Sequence, residues 1–218
     1  MRVRLDDPET PHEPEVPEPI GPEPREPDDN KTLLAPINEL ESRLLRQRKV
    51  LVFGAITDRL ARDVTARLLA LAGASAAPID VYVNSPGGHV ESGDTIHDMI
   101  RFVDADVPVR MIGTGWVASA GALIYLAANP ARRFCLPNTR FLLHQPMGGV
   151  QGPAVDIDIE AREIVKMRER LNRIIARETG QDYEKVARDT DRNYWMGAEE
   201  AIAYGMVARV IARAQDLD

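Results

Sequence analysis

A serine surrounded by very small residues is the first candidate for chemistry in this 218-residue chain. Ser119 lies in the run GTGWVASAGA (113–122), which follows an apolar, β-branched run (107–112) and precedes the helix-favouring run ALIYLAA. This order predicts a turn from strand to helix, where a serine Oγ points outward and nearby backbone N–H groups stay free, as acyl transfer by a nucleophile requires. Small residues also let a helix pack closely on a sheet, so the pattern has a structural explanation too.

A glycine turn supplies a second candidate element. The run VNSPGGHV (83–90) follows an apolar segment, and its Pro86 cannot continue a strand. The paired Gly87 and Gly88 permit positive φ and close approach of the backbone to a ligand. Such a turn can direct a backbone N–H toward an oxyanion, although most turns of this composition are ordinary ones.

A histidine at the end of a predicted strand is the third candidate. His144 follows the run 140–143 and precedes Pro146 and a glycine pair. A histidine at a strand end beside a loop is well placed to act as a general base. A lone histidine more often has a structural role, so the assignment depends on the serine and the glycine turn.

The elements that would position these residues alternate along the chain. Thr57 is a predicted helix cap, and apolar residues recur after it at intervals of three to four. Repeated β-α units predict an α/β fold with a parallel-rich sheet covered by helices. The predicted strands are 50–53, 79–83, 108–112, 140–143 and 207–211, and the predicted helices include 93–103, 154–177, 182–189 and 198–204.

Four ordered motifs resemble the ClpP family, the proteolytic subunit of the Clp protease. They are VNSPGG, the ASAGA serine turn, RRFCLPNTRFLLHQPMGG and QGPAVDIDIEAREI. The resemblance covers about residues 38–211, and it implies a peptidase domain over 38–218. It also implies the spiral of ββα units that this family shares with crotonases, with a protruding handle helix over 154–177.

The resemblance also implies a role for individual residues. Ser119 matches the nucleophile and His144 the base, while Gly88 and Ala120 match the residues whose N–H groups form the oxyanion hole. Asn193 occupies the position of the triad acid, where most of the family carries Asp. A second departure is that GTGWVAS is about two residues longer than the usual GQAAS approach to the serine.

Partners are likewise implied by the family. Two seven-membered rings are expected to stack through the handle, with Asp191 and Arg192 matching an inter-ring pair. The chain contains no GxxxxGK[ST] motif, so ATP hydrolysis and unfolding of polypeptide substrates are assigned to a separate AAA+ unfoldase of the ClpX, ClpA or ClpC type. The predicted function is therefore that of a cytoplasmic serine endopeptidase in ATP-dependent protein degradation.

The amino-terminal segment differs in composition from the rest. Residues 1–30 hold eight of the 16 prolines and have three basic and ten acidic residues, so they carry the net charge of −7 of the whole chain. A segment so acidic and so poor in large apolar groups is predicted to be disordered. Residues 31–37 contain the apolar run KTLLAP and are a candidate axial-pore loop; a solvated tail is the alternative.

Composition excludes several classes of function. The single cysteine, Cys135, excludes an internal disulfide framework, and its apolar surroundings favour a buried filler over a nucleophile. No apolar run reaches about 18 residues, so no membrane span is predicted. No HExxH motif, CxxC pair or similar spacing of metal ligands is present, so no metal is expected. A cofactor is not expected either, and neither nucleic acid nor a membrane is an expected partner.

Three alternatives remain at this stage. A crotonase-like acyl-CoA enzyme would share the fold and the oxyanion hole but would have no use for the serine and histidine. A membrane-associated signal-peptide peptidase would need a membrane segment. The strongest alternative is a weakly active or inactive structural subunit that assembles with an active paralogue, because Asn193 stands where an acid is expected.

Overall fold

The computed structural model describes residues 39–149 and 151–217 of the chain. The predicted disordered tail (1–30) and the candidate pore loop (31–37) lie outside these residues. The described residues form a mixed α/β architecture, as predicted. Its helices are α1 (Glu39–Arg46), α2 (Asp58–Ala74), α3 (Val90–Asp104), α4 (Ala120–Tyr125), α5 (Ala154–Thr179), α6 (Tyr183–Asp189) and α7 (Ala198–Tyr204).

One sheet of seven strands organises the described residues. Its main path has the order β1-β2-β3-β4-β7, all parallel, and β5 joins the far half of β3 in parallel. The last strand, β6, pairs antiparallel with β5. The strands are β1 (Lys49–Phe53), β2 (Ile79–Ser85), β3 (Val109–Ala118), β4 (Arg133–Cys135), β5 (Arg140–Leu143), β6 (Tyr194–Met196) and β7 (Arg209–Val210).

Helix α2 shows how the sequence determines a local element. The Thr57 side chain accepts a hydrogen bond from the Leu60 N–H and so satisfies one of the free donors of the first turn, as predicted. Its apolar residues Val64 and Leu68 are fully buried against the sheet. Burial of one such side chain stabilises the fold by about 1.5–3 kcal/mol, which holds α2 against β1.

Two of the differences from the predicted bounds bear on the candidate site. Strand β3 continues past residue 112 to Ala118, directly before Ser119, instead of ending where the glycines begin. Helix α3 begins at Val90, three residues earlier than predicted, immediately after the glycine turn. Strand β3 and helix α3 therefore reach the candidate site directly.

Helix α5 is buried at only one end. Its first half exposes apolar side chains, with Val155 71% and Ile159 52% accessible. Near its carboxyl end the side chain of Glu178 receives a hydrogen bond of 2.7 Å from Arg133, which is itself fully buried. Arg133 also donates to backbone carbonyls, including that of Glu178, so its charge is paired and it makes four hydrogen bonds in all. This contact fixes the base of α5 to β4.

Candidate active site

Ser119 lies at the junction of β3 and α4 in a backbone conformation that residues with a side chain seldom adopt. Its φ is 54° and its ψ is −123°, which costs on the order of 1–3 kcal/mol. The Ser119 N–H donates to the Leu142 carbonyl at 3.0 Å, and the Ser119 carbonyl accepts from the Ala122 N–H at 2.9 Å. The neighbouring strand and the first turn of α4 therefore hold the strained turn from both sides.

The two glycines of the predicted turn are both required by packing. A Cβ on Gly87 would lie 2.6 Å from the Cβ of Ser119, and a Cβ on Gly88 would lie 2.3 Å from the carbonyl oxygen of Ile56. Their φ angles, +98° and +152°, also favour glycine. The Gly87 N–H donates to Ser85 Oγ at 3.1 Å. The turn is thus pressed between the serine and the segment that leads into α2.

Two backbone N–H groups beside the serine stay free. The Ile56 N–H donates to the Gly87 carbonyl at 2.9 Å, and the Ile56 carbonyl accepts from the His89 N–H at 3.0 Å. The N–H of Gly88, which lies between Gly87 and His89, is not used in either hydrogen bond. Ala120 is the first residue of α4, and the N–H groups of a first turn have no partner within the helix. Among the described residues, neither the Gly88 N–H nor the Ala120 N–H has a hydrogen-bond acceptor. Two free donors flanking one serine can bind an oxyanion.

His144 and Asn193 are brought together by the pairing of β5 with β6. Leu143 is the register partner of Tyr194, so the residue after β5 meets the residue before β6. His144 Nδ1 lies 3.0 Å from Asn193 Oδ1. Because an amide oxygen can only accept, this contact assigns the proton to Nδ1 and leaves Nε2 able to take a proton from elsewhere.

Gln145 is a residue of the site that the sequence did not single out. Its N–H donates to the Thr190 carbonyl at 2.7 Å, and its side-chain Nε2 donates to the Asp191 carbonyl at 2.8 Å. These bonds tie the segment after His144 to the loop that carries Asn193. The signal in the sequence was only its position next to the histidine.

Ser119 and His144 line one pocket. The described residues include no hydrogen bond between the two side chains, and catalytic hydrogen bonds of this kind commonly tighten only when substrate binds. Apolar side chains from α3, α4 and α5 form the remaining walls, so the pocket suits an apolar side chain beside the reacting group. The lining residues are Val90, Ser119, Ala120, Leu123, Leu143, His144, Pro146, Leu171 and Ile175.

The acidic residues near Asn193 are engaged elsewhere. Asp189 accepts hydrogen bonds from Lys185 at 2.6 Å and from the Tyr204 hydroxyl at 2.9 Å. Asp191 pairs with Arg168 of the same chain at 3.2 Å. Asn193 is therefore the residue whose side chain contacts the histidine.

The extra residues before the serine form a bulge in β3. Val83 pairs with Gly113, whereas Ser85 pairs with Val117, so β3 has two more residues than β2 between these points. Asn84 fills the bulge, and its Oδ1 lies 3.4 Å from the Trp116 nitrogen. The bulge accommodates the two additional residues of the run GTGWVAS, so Ser119 still lies directly after the end of β3.

Other reactive groups are not arranged for catalysis. Cys135 is buried, and burial raises the pKa of its thiol to about 11, so it is a poor nucleophile. Within 39–149 and 151–217, no group of three or more His, Cys, Asp or Glu residues could hold a metal ion. No helix in this part of the chain is long and apolar enough to cross a membrane.

Comparisons with known proteins agree with this geometry. The sequence profile of the family described as Clp protease matches residues 35–214. The chain is 75% identical to the ATP-dependent Clp protease proteolytic subunit 2 of Gluconobacter oxydans, over 99% of this chain and 92% of that protein. It is 58% identical to proteolytic subunit 3 of Rhizobium etli, over 87% of this chain and 97% of that protein.

A solved structure also matches. It is a mutant of ClpP1 from Listeria monocytogenes, which shares 50% sequence identity and has a TM-score of 0.76, covering 82% of this chain and 99% of that one. The similarity in sequence thus extends to the three-dimensional fold. The chain therefore belongs to the Clp protease family, as a peptidase subunit of an ATP-dependent Clp protease.

Proposed function

We propose that Ser119, His144 and Asn193 act as the catalytic triad of a serine endopeptidase, with the N–H groups of Gly88 and Ala120 as its oxyanion hole. The contact of 3.0 Å between His144 Nδ1 and Asn193 Oδ1, together with the pocket that His144 and Ser119 both line, carries this proposal. The strained serine turn and the two free N–H groups support it, because both are the features that acyl transfer needs.

The reaction follows from these positions. His144 Nε2 removes the proton of Ser119 Oγ while the oxygen attacks the peptide carbonyl, and the carbonyl electron pair moves to the oxygen held by Gly88 and Ala120. The imidazolium then gives its proton to the departing amine, the C–N bond breaks and an acyl-serine remains. Water, deprotonated by the same Nε2, attacks this ester, releases the acid and restores the serine hydroxyl.

Asn193 changes how the imidazolium of His144 is stabilised in this mechanism. Its amide oxygen orients the imidazole through Nδ1–H, as papain-like enzymes do with asparagine, but it supplies no negative charge to the imidazolium. We therefore assign a slower triad to this chain.

Assembly and partners complete the proposal. The exposed apolar half of α5, including Val155 and Ile157, suits burial against another copy of the chain. We assign two stacked heptameric rings, with Asp191 and Arg192 at the contact between rings, in the cytoplasm. An AAA+ unfoldase of the ClpX, ClpA or ClpC type would supply unfolded polypeptide.

A second candidate function is favoured by the same asparagine. The chain would then be a weakly active or inactive structural subunit in a ring mixed with an active paralogue. The acyl-CoA alternative is not favoured, because the relatives are named as proteolytic subunits.

The test is a peptidase assay on the pure full-length chain and on Ser119→Ala, with light scattering on the same samples. We expect slow hydrolysis that Ser119→Ala abolishes, in particles of about fourteen times the 24.2-kDa chain. Removal of residues 1–30 should leave this mass ratio unchanged. No hydrolysis in assembled rings would favour the structural subunit, and a monomer at all concentrations would contradict the ring assignment.

A further inference from the structure

A second cluster of Ser, His and Asp side chains lies directly beside the glycine turn. His89 follows Gly88 and is the residue before the first turn of α3, Ser92 lies in that turn, and Asp58 is the first residue of α2. None of these side chains lines the pocket that contains Ser119. The cluster therefore has another role than direct attack on substrate.

The cluster is joined by hydrogen bonds. Ser92 Oγ donates its proton to Asp58 Oδ1 in a short contact. His89 Nδ1 lies 2.8 Å from the same Ser92 oxygen and 3.3 Å from Asp58 Oδ1, so a proton on Nδ1 bridges both. The serine is buried, with 2% of its surface accessible, and its hydrogen bond lowers the pKa of the Asp58 carboxyl. The oxygen of Ser92 thus connects α2 to the end of the glycine turn.

The same two segments are also joined through their backbones. Ile56, two residues before Asp58, bonds to the Gly87 carbonyl and to the His89 N–H. The backbone contact and the side-chain cluster lie next to each other along both segments. Together they fix the turn on either side of the free Gly88 N–H.

We propose that Asp58, Ser92 and His89 are positioning residues that aim the Gly88 N–H at the oxyanion. This inference rests on the proposed function, in which Gly88 is an oxyanion donor. An N–H must lie 2.7–3.1 Å from the oxygen of the tetrahedral intermediate to stabilise it. Release of His89 from Ser92 would remove the side-chain tie between the turn and α2 and leave the Ile56 backbone contacts, the Gly87 bond to Ser85 Oγ and the His89 contact with Glu91. The Gly88 N–H would then move out of this narrow range for part of the time.

The size of the effect follows from the value of one donor. Loss of a complete oxyanion donor slows catalysis by about 10²- to 10³-fold, so a donor that is misplaced for part of the time should cost about tenfold in kcat. KM should stay the same, because the contact strengthens in the transition state and not in the bound substrate.

The experiment compares three variants with the full-length wild type in assembled rings. Ser92→Ala removes the shared oxygen, Asp58→Ala removes its acceptor, and Asp58→Asn keeps an acceptor oxygen in the same place. Thr95→Ala is the matched control, because it removes a hydroxyl of α3 whose one hydrogen bond within the described part of the chain goes to the Glu91 carbonyl. The readouts are kcat and KM on a fluorogenic peptide, and the inhibition constant of a peptide boronate, whose tetrahedral adduct places an oxygen in the oxyanion hole.

We expect Ser92→Ala and Asp58→Ala to lower kcat and boronate affinity by the same factor of about ten, with Asp58→Asn and Thr95→Ala near wild type. Unchanged kcat in Asp58→Ala would overturn the proposal, as would an equal loss in Thr95→Ala. The Asp58 side chain is 88% accessible, so its variant tests the idea even if Ser92→Ala does not fold. Ser119→Ala, run in parallel, separates the two proposals: if it abolishes hydrolysis while Asp58→Ala is unaffected, only the positioning role fails.

Discussion

Replacement of Asn193 by aspartate should accelerate peptide hydrolysis, because the change places a negative charge beside the imidazolium that forms in the transition state. The relevant distance is the 3.0 Å between His144 Nδ1 and Asn193 Oδ1. His144 is half-buried and Asn193 is exposed, so an effective dielectric between those of a protein surface and water applies. Coulomb's law then gives about 1.4 kcal/mol at ε of about 80 and about 2.8 kcal/mol at ε of about 40.

These energies correspond to an increase in kcat of about tenfold to a hundredfold. This is smaller than the roughly 10⁴-fold cost of the reverse change in trypsin, where the aspartate is buried and also holds the tautomer. Here the amide already holds the tautomer, so only the charge is gained.

The assay measures kcat on a short fluorogenic peptide for wild type, Asn193→Asp and Asn193→Ala. Asn193→Ala should be slower than wild type, because the imidazole loses its acceptor. Asn138→Asp is the matched control, since it adds the same charge at an exposed position before β5, at the other end of this strand from His144 and outside the pocket lined by Ser119. Asp191→Asn tests the neighbouring acid. Where the rings of this variant keep the mass of the wild type, the rate should be unchanged, because Asp191 pairs with Arg168 and not with His144. Equal rates for wild type, Asn193→Asp and Asn193→Ala would refute the reasoning and show that another residue supports His144.

Two further predictions concern packing and pH. Gly87→Ala should abolish peptide hydrolysis, because its Cβ would lie 2.6 Å from the Cβ of Ser119. Gly73→Ala is the control and should keep full activity, because its Cβ would meet nothing within 4 Å. Steady-state peptidase assays and thermal unfolding of both variants check this. Burial alone would raise the pKa of Glu178, but hydrogen bonds from Arg177 and Arg133 outweigh burial and lower it. Its contribution to stability is thus present above about pH 4.3 and is lost as pH falls through the lowered pKa. The melting temperature of the wild type should decrease as the pH is lowered. Glu178→Gln should have a lower melting temperature than the wild type at neutral pH, and its melting temperature should change less with acidification. Equal slopes of melting temperature against pH in the two proteins would contradict this.

The order of the elements could be predicted from the sequence because local signals agree with the fold. Thr57 caps α2 as expected, and the strand before His144 has the predicted bounds, 140–143. The roles of Asn193, Gly88 and Ala120 came from the family resemblance, since nothing in their local spacing indicates that they meet.

Features that depend on contacts distant in sequence could not be predicted. The continuation of β3 to Ala118 depends on Asn84, whose side chain fills the bulge. The burial of Arg133 depends on Glu178, which lies 45 residues away. The contact between Ser92 and Asp58 spans 34 residues and two helices, and no motif marks it.

The central claim is that Ser119 is the nucleophile, and covalent labelling tests it most directly. A fluorophosphonate phosphonylates a serine Oγ, and a β-lactone acylates it, only where a base and an oxyanion hole activate the serine. Intact-protein mass spectrometry of assembled rings should show one adduct per chain in the wild type and none in Ser119→Ala. No adduct on the wild type, or an adduct that survives Ser119→Ala, would contradict the assignment.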